Sequence, residues 1–337
     1  MQNKILRFSR VGIVSTGSVV GGREFEGPLG DSFDLHDGSD RFGKKTWEAS
    51  ESEMQRLAMN MALSKIGASE HDIDALFAGD LLNQCVGSSY GLLDFDIPYF
   101  GLYGACSTAI EGLMLSAMTC NAGYFDTCAA VTSSHYCSAE RQYRTPIEYG
   151  AQRSPTAQWT VTGSGAFIVR EGGSVRITEA LPGIVIEKGI NDASNMGAAM
   201  APAAADTLIR YFENSGKAPE DFDMIVTGDL GLEGGEILCE LLSANDVRLG
   251  ARYADCGTMI YDLKGQDVHA GGSGCGCSAV VLAAHLFPRL KSGVMRDILI
   301  IGTGAMMSPA SIQQGEAIPA VAHLLRITHY GSYNGEE

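Results

Sequence analysis

The sequence is poor in positive charge. Lys and Arg number 24 against 40 Asp and Glu, a formal net charge of −16 over 337 residues, and no basic cluster interrupts that acidic excess. Phosphate backbones are held by clustered cations, so a nucleic-acid partner is disfavoured. Long apolar runs are also missing: "AVVLAAHLF" (279–287) and "ILIIGTGAMM" (298–307) fall well short of the roughly 20 residues that cross a bilayer. The opening "MQNKILRFSRVGIVSTG" is too interrupted for the core of a secretion signal and reads as a first strand. A soluble chain is expected, meeting a membrane only peripherally through a partner.

Metal-type and cofactor-type motifs are scarce as well. The nine cysteines are an odd number, "CGC" (275–277) is not a CxxC pair, and His269 and His285 complete no zinc finger. Reduced, buried thiols in a reducing compartment are expected, with no metal site. "HAGGSGCGCSAVVLAAHLF" (269–287) matches neither the phosphate-cradling G-x-x-x-x-G-K-[ST] pattern nor the dinucleotide-binding G-x-G-x-x-G. No cofactor is expected, and its glycines point instead to close backbone approach inside a domain.

What is present is apolar residue content of 45% with 42 glycines, enough for a large core punctuated by turns. Candidate helices alternate with short β-branched strands, which argues for an α/β class. "ESEMQRLAMNMALSKIG" (51–67) spaces Met54, Leu57, Ala58, Met61 and Ala62 as an amphipathic helix. Strands are predicted at 74–79, 127–134, 166–170, 223–228 and 297–304.

One internal echo organises the chain. "ASEHDIDALFAGDLL" (68–82) and "KAPEDFDMIVTGDLG" (217–231) share an acidic loop, an apolar strand and Gly-Asp-Leu. In this register Asp80 falls on Asp229 and, one residue further offset, Cys106 falls on Cys256 of "ADCGTMIY". Two similar halves are implied, 1–172 and 173–337, divided near "REGGSVRITEA" (170–180).

Two segments carry candidate chemistry. In "GACSTAIEGL" (104–113), Cys106 precedes a helix apolar on nearly every face except at Glu111; at a helix N-terminus it could act as a nucleophile, contact an anion, or merely pack. "TSSHYCSAERQYRTPIEYG" (132–150) gathers His135, Glu140, Arg141, Tyr143, Arg144 and Tyr149 after a strand. That segment is either a carboxylate-binding loop or a surface turn whose arginines pair with Glu140 and Glu148. "GTGAMMSP" (302–309) reads as core rather than site.

Duplicated halves, a Cys heading a buried central helix and a glycine-rich loop before a helix resemble the thiolase superfamily, with its five-layered αβαβα fold. Within it, "GPLG", "AGDLLNQ", "FGLYGACSTA", "SSHYCSAERQYRTPIEYG", "TVTGSGA", "MGAAMAPAAADT", "DCGTMIY" and "AGGSGCGCSAVV" resemble the stage V sporulation protein AD family across nearly the whole chain. The resemblance implies binding of dipicolinic acid (pyridine-2,6-dicarboxylate), alone or as its calcium complex, and support for its uptake into the developing bacterial spore. It also implies a homodimer, and partners among the membrane proteins of the same operon at the forespore or spore inner membrane.

Enzymes of the superfamily give their cysteine a His partner. Here the second-half region expected to carry one reads "TGDLGLEGG" (227–235), without histidine. The resemblance therefore implies a binding protein whose ligand residues are Asp80, Asn83, Cys106, Ser107, His135, Arg141, Tyr143, Arg144 and Cys275. The alternative is a thiolase-like or ketoacyl-synthase-like acyl-transfer enzyme with Cys106 as nucleophile and His135 or His269 as base.

Overall fold

Gly-bounded, β-branched runs separated by apolar helices produce a sheet built twice. The computed structural model describes residues 4–143 and 153–331. Five strands of the first half, β1 (Val11–Gly21), β2 (Ala75–Gly79), β3 (Tyr99–Leu102), β4 (Thr127–Ser134) and β5 (Gly163–Glu171), lie in the order β1-β5-β4-β2-β3. Five more, β6 (Val175–Leu181), β7 (Met224–Thr227), β8 (Tyr253–Asp255), β9 (Asp297–Ala305) and β10 (Ala320–His329), lie as β6-β10-β9-β7-β8. In each set the first two pairings are antiparallel and the last two parallel. The sets join where β1 and β6 run antiparallel at Gly12–Arg176 and Ile13–Val175.

Helices form three layers around these sheets. Outermost on the first half, α1 (Trp47–Ser64) packs on β1, β5 and β4. Between the sheets lie α2 (Thr108–Asn121) and α6 (Cys275–Val281), the latter running on through a π turn to Lys291; α2 touches both strand sets. On the far side, α4 (Met196–Ser215) covers β9 and β10 and carries α5 (Gly231–Ser243) against it. One further helix, α3 (Tyr136–Tyr143), follows β4. This is the five-layered αβαβα arrangement.

The α1 helix starts earlier than its apolar spacing predicts because the Thr46 hydroxyl caps it, accepting from Ala49 N at 3.3 Å. Its buried stripe is Met54, Ala58, Met59, Ala62 and Leu63, and it includes three polar residues, Ser50, Glu51 and Gln55. Most of their polar atoms are bonded, Gln55 Oε1 being the exception. Gln55 Nε2 donates to Ser133 Oγ at 2.8 Å, and Glu51 accepts from Ser133 and Ser138. Leu57 and Met61, expected inside, are only half-buried.

The internal echo holds at the strand ends but not beyond them. Asp80 follows β2 and Asp229 follows β7, while Cys106 and Cys256 follow the outermost strands β3 and β8. Cys106 leads directly to α2. Cys256 begins only one turn, Cys256–Met259, and the buried helix of the second half starts at Cys275. A glycine in its first turn permits close approach: a Cβ on Gly276 would sit 2.4 Å from the carbonyl oxygen of Gly163.

Candidate functional site

The head of α2 is a tight turn with an unusual backbone. Ala105, buried, has φ +49°, a left-handed conformation that costs a non-glycine residue energy and is held here by its surroundings. Ser107 N and Ser107 Oγ both donate to Gly104 O, at 3.1 and 2.6 Å, and Thr108 Oγ1 donates to Ala105 O at 2.7 Å. Strand β9 presses on this turn, since a Cβ on Gly304 would lie 2.2 Å from Gly104 O.

The turn sets Cys106 in the wall of a cavity of about 280 Å³. Tyr103 and Tyr143 form one side, their hydroxyls 2.7 Å apart, with Tyr143 Oη donating to Leu81 O at 2.5 Å. Ser154, Gln158, Thr160, Ser194 and Ser273 supply hydroxyl and amide groups, and Ala305 and Met307 contribute apolar wall. Glu140 is the one charged side chain, and no histidine, lysine or arginine lines the cavity among the described residues.

Cys106 faces a carboxylate rather than a histidine. Its Sγ lies 3.8 Å from Ser273 Oγ, and Ser273 Oγ donates to Asp229 Oδ2 at 2.8 Å. Gly274 N and Thr303 Oγ1 donate to the same carboxylate at 2.9 and 2.7 Å. Burial, and then the charge of Asp229, push the Cys106 thiol well above its ordinary pKa, so the sulfur is a protonated thiol. The Asp229 carboxyl is itself raised by burial, against the pull of its hydrogen bonds.

Other residues named from the sequence are distributed unevenly around this wall. Tyr143 lines the cavity, and Cys275 packs behind it with Leu81, Cys106 and Ala139, its Sγ donating to Ser133 O at 2.9 Å. Ser107 does not reach the cavity: it is fully buried, with its donors spent on Gly104. Asp80 is also fully buried, and its oxygens accept from Leu82 N, Ser88 N and Ser88 Oγ at 2.6–2.8 Å, which fixes the loop after β2. Asn83 and Arg141 line a separate surface crevice, where Arg141 pairs with Glu48. Arg144 lies outside the described residues.

Neither histidine serves Cys106. The His135 ring is turned to the α1 side, 5.3 Å from Trp47. Its Nδ1 accepts from Cys137 N at 3.1 Å, so Nε2 carries the proton donated to Asp40 O at 2.9 Å. Burial lowers its pKa, so the ring is neutral. His269 spends Nδ1 on Ser154 O at 2.6 Å and Nε2 on Asp267 at 3.1 Å. The expectation that either is the base of an acyl-transfer triad is corrected by these bonds.

Several wall residues escaped the sequence reading. Asp229 was signalled by its echo of Asp80, but nothing local separates a loop-fixing Asp from one beside a thiol. Ala305 and Met307 belong to "GTGAMMSP", read as core; β9 ends there at the cavity.

Comparison with known proteins decides the family. The family model described as stage V sporulation protein AD matches residues 2–328. The chain belongs to the stage V sporulation protein AD family. It is 43% identical over 310 residues to stage V sporulation protein AD of Bacillus subtilis (strain 168), covering 92% of this chain and 91% of that one. Among solved structures it is similar to 3-oxoacyl-[acyl-carrier-protein] synthase III from Aquifex aeolicus VF5, with TM-score 0.59, 12% identity, and 95% and 100% of the two chains covered. It is likewise similar to cerulenin-bound OleA of Xanthomonas campestris, with TM-score 0.61, 15% identity, and 96% and 98% covered. At such identities the likeness to the last two is one of fold. No helix among the described residues is long and apolar enough to cross a membrane.

Proposed function

We propose that this member of the stage V sporulation protein AD family is a non-catalytic binding protein that takes dipicolinic acid into the Cys106 cavity. The observation that carries this reading is a cavity suited to one small ring. About 280 Å³ of space is flanked by two tyrosine side chains and rimmed by hydroxyl and amide groups, while the thiol of Cys106 in its wall is held protonated. Tyr103 and Tyr143 meet the ring face, and Ser154 and Thr160 supply hydroxyls to the carboxylates.

The charge of the wall favours the calcium complex. Moving a dianion from water into a site whose described wall has no cation is costly. A calcium ion carried with the ligand cancels that charge and leaves oxygen sites for the hydroxyls. In this reading the protein supports dipicolinate uptake into the developing spore, at the forespore or spore inner membrane, with membrane proteins of the same operon. A homodimer belongs to the same proposal. Supporting it, β3 ends the sheet with Tyr99 and Phe100 exposed, an edge suited to covering by a second copy.

Calorimetric titration with dipicolinate, with and without calcium and against benzoate, tests the binding. Saturable dipicolinate binding without benzoate binding is expected, tighter with calcium. An absence of heat and of thermal stabilisation, or a covalent acyl adduct on Cys106 from a coenzyme A thioester panel, would overturn it.

A further inference from the structure

Away from the cavity, the last turn of α2 brings Cys120 against the start of β4. The Cys120 Sγ lies 3.6 Å from both the Sγ of Cys128 and Val169 O, and Thr119 Oγ1 lies 3.6 Å from the Cys128 sulfur. Cys128 is fully buried with Ala75 and Phe77, under Leu102, Leu115 and Phe125, whereas Cys120 is only half-buried. Neither thiol takes part in the cavity wall.

We infer that Cys120 and Cys128 are a thiol–disulfide pair that a small disulfide of the glutathione type oxidises in the folded protein. A disulfide needs sulfurs about 2.05 Å apart, so closure asks for roughly 1.5 Å of movement, which rotation of two side chains across a helix–strand contact supplies. The S–H···S contact lets one proton serve both sulfurs once the other has left, so the pair provides a thiolate more readily than two separate buried thiols. That hydrogen bond lowers the Cys128 pKa and raises that of Cys120, so the shared proton rests on Cys120 until it attacks.

The exchange runs in two balanced steps. Cys120, the less buried member, passes its proton to the Cys128 sulfur as it attacks the small disulfide; a mixed disulfide forms and one small thiolate leaves. Cys128 then attacks Cys120 Sγ, the protein disulfide forms and the second small thiolate leaves. Two protein thiols are oxidised, one small disulfide is reduced to two thiols, and the two protons pass to them. The product clamps the far end of α2, whose head bears Cys106, onto β4.

The test uses the whole chain under native conditions. Protein treated with oxidised glutathione is alkylated and digested with chymotrypsin, which cuts after Tyr124 and Phe125, between the two cysteines. The expected result is two peptides joined by a reducible bond, with a melting midpoint higher by a few degrees. Cys128→Ser should stop the reaction at a glutathione adduct on Cys120, and Cys120→Ala should leave Cys128 unmodified. If instead both cysteines are recovered as free, alkylated thiols, or Cys120 links to a different cysteine, or the bond forms only after unfolding, the inference fails.

Discussion

The Asp229 carboxylate and the Cys106 thiol share one buried wall, with the Ser273 hydroxyl between them. Ser273 gives its proton to Asp229, so at 3.8 Å the thiol is left as donor rather than acceptor. In an acyl-transfer site the neighbour of the sulfur must remove its proton. Here an anion keeps that proton in place.

Cys106 should therefore be slow to alkylate. Near neutral pH, iodoacetamide should modify it at least about tenfold more slowly than an exposed cysteine, with the rate rising only well above the ordinary thiol range. Asp229→Asn removes the charge and should speed the reaction. Peptide mapping of the alkylated protein over a pH series measures both; rapid modification of the parent near neutrality would contradict the assignment.

Filling the cavity should abolish binding without unfolding the chain. Ala305, at the end of β9, borders the cavity, so Ala305→Phe occupies ligand space. Dipicolinate affinity is expected to fall at least about tenfold, the equivalent of about 1.4 kcal/mol, while the melting midpoint moves by only a few degrees. Titration calorimetry paired with a thermal melt separates the two effects.

Arg141→Ala should leave dipicolinate affinity unchanged, because Arg141 pairs with Glu48 on the surface outside the cavity. Exposed pairs of this kind contribute about 0–1 kcal/mol, so the stability change should be small. A large loss of affinity in this single variant would return the arginine to the site.

Glu51 gives the protein a pH dependence. Burial, and then the negative charge of Asp80, push its carboxyl from 4.5 up to about 8. The folded chain keeps that proton where the unfolded chain has released it. This contribution to stability is complete below about pH 4.5 and declines as pH rises toward 8. Glu51→Gln stays neutral throughout, so its melting midpoint should change less across that window than the parent's. Parallel curves for the two proteins would show that Glu51 does not carry the effect.

The fold was largely legible because its signals are local and repeated. The strands at 127–134 and 297–304 are bounded by Gly, Asp or Ser, and the Asp80–Asp229 echo reports two strand ends of the same kind. Cys106 was legible too, since an all-apolar helix must be buried and its head must meet a site or a core. The rest of the wall depends on which way side chains turn where strands end. His135 and Tyr143 stand eight residues apart on one segment, yet the first turns to Trp47 and the second to the cavity. Asp80 and Asp229 have the same local sequence, and only tertiary packing sets Ser273 and Cys106 beside one of them.

A sulfur held protonated is also a sulfur that ages slowly. Oxidation to sulfenic acid starts from the thiolate, as does capture by stray electrophiles. The same carboxylate thus lengthens the chemical lifetime of the thiol that lines the cavity. Durability of this thiol is a property that the placement of Asp229 confers.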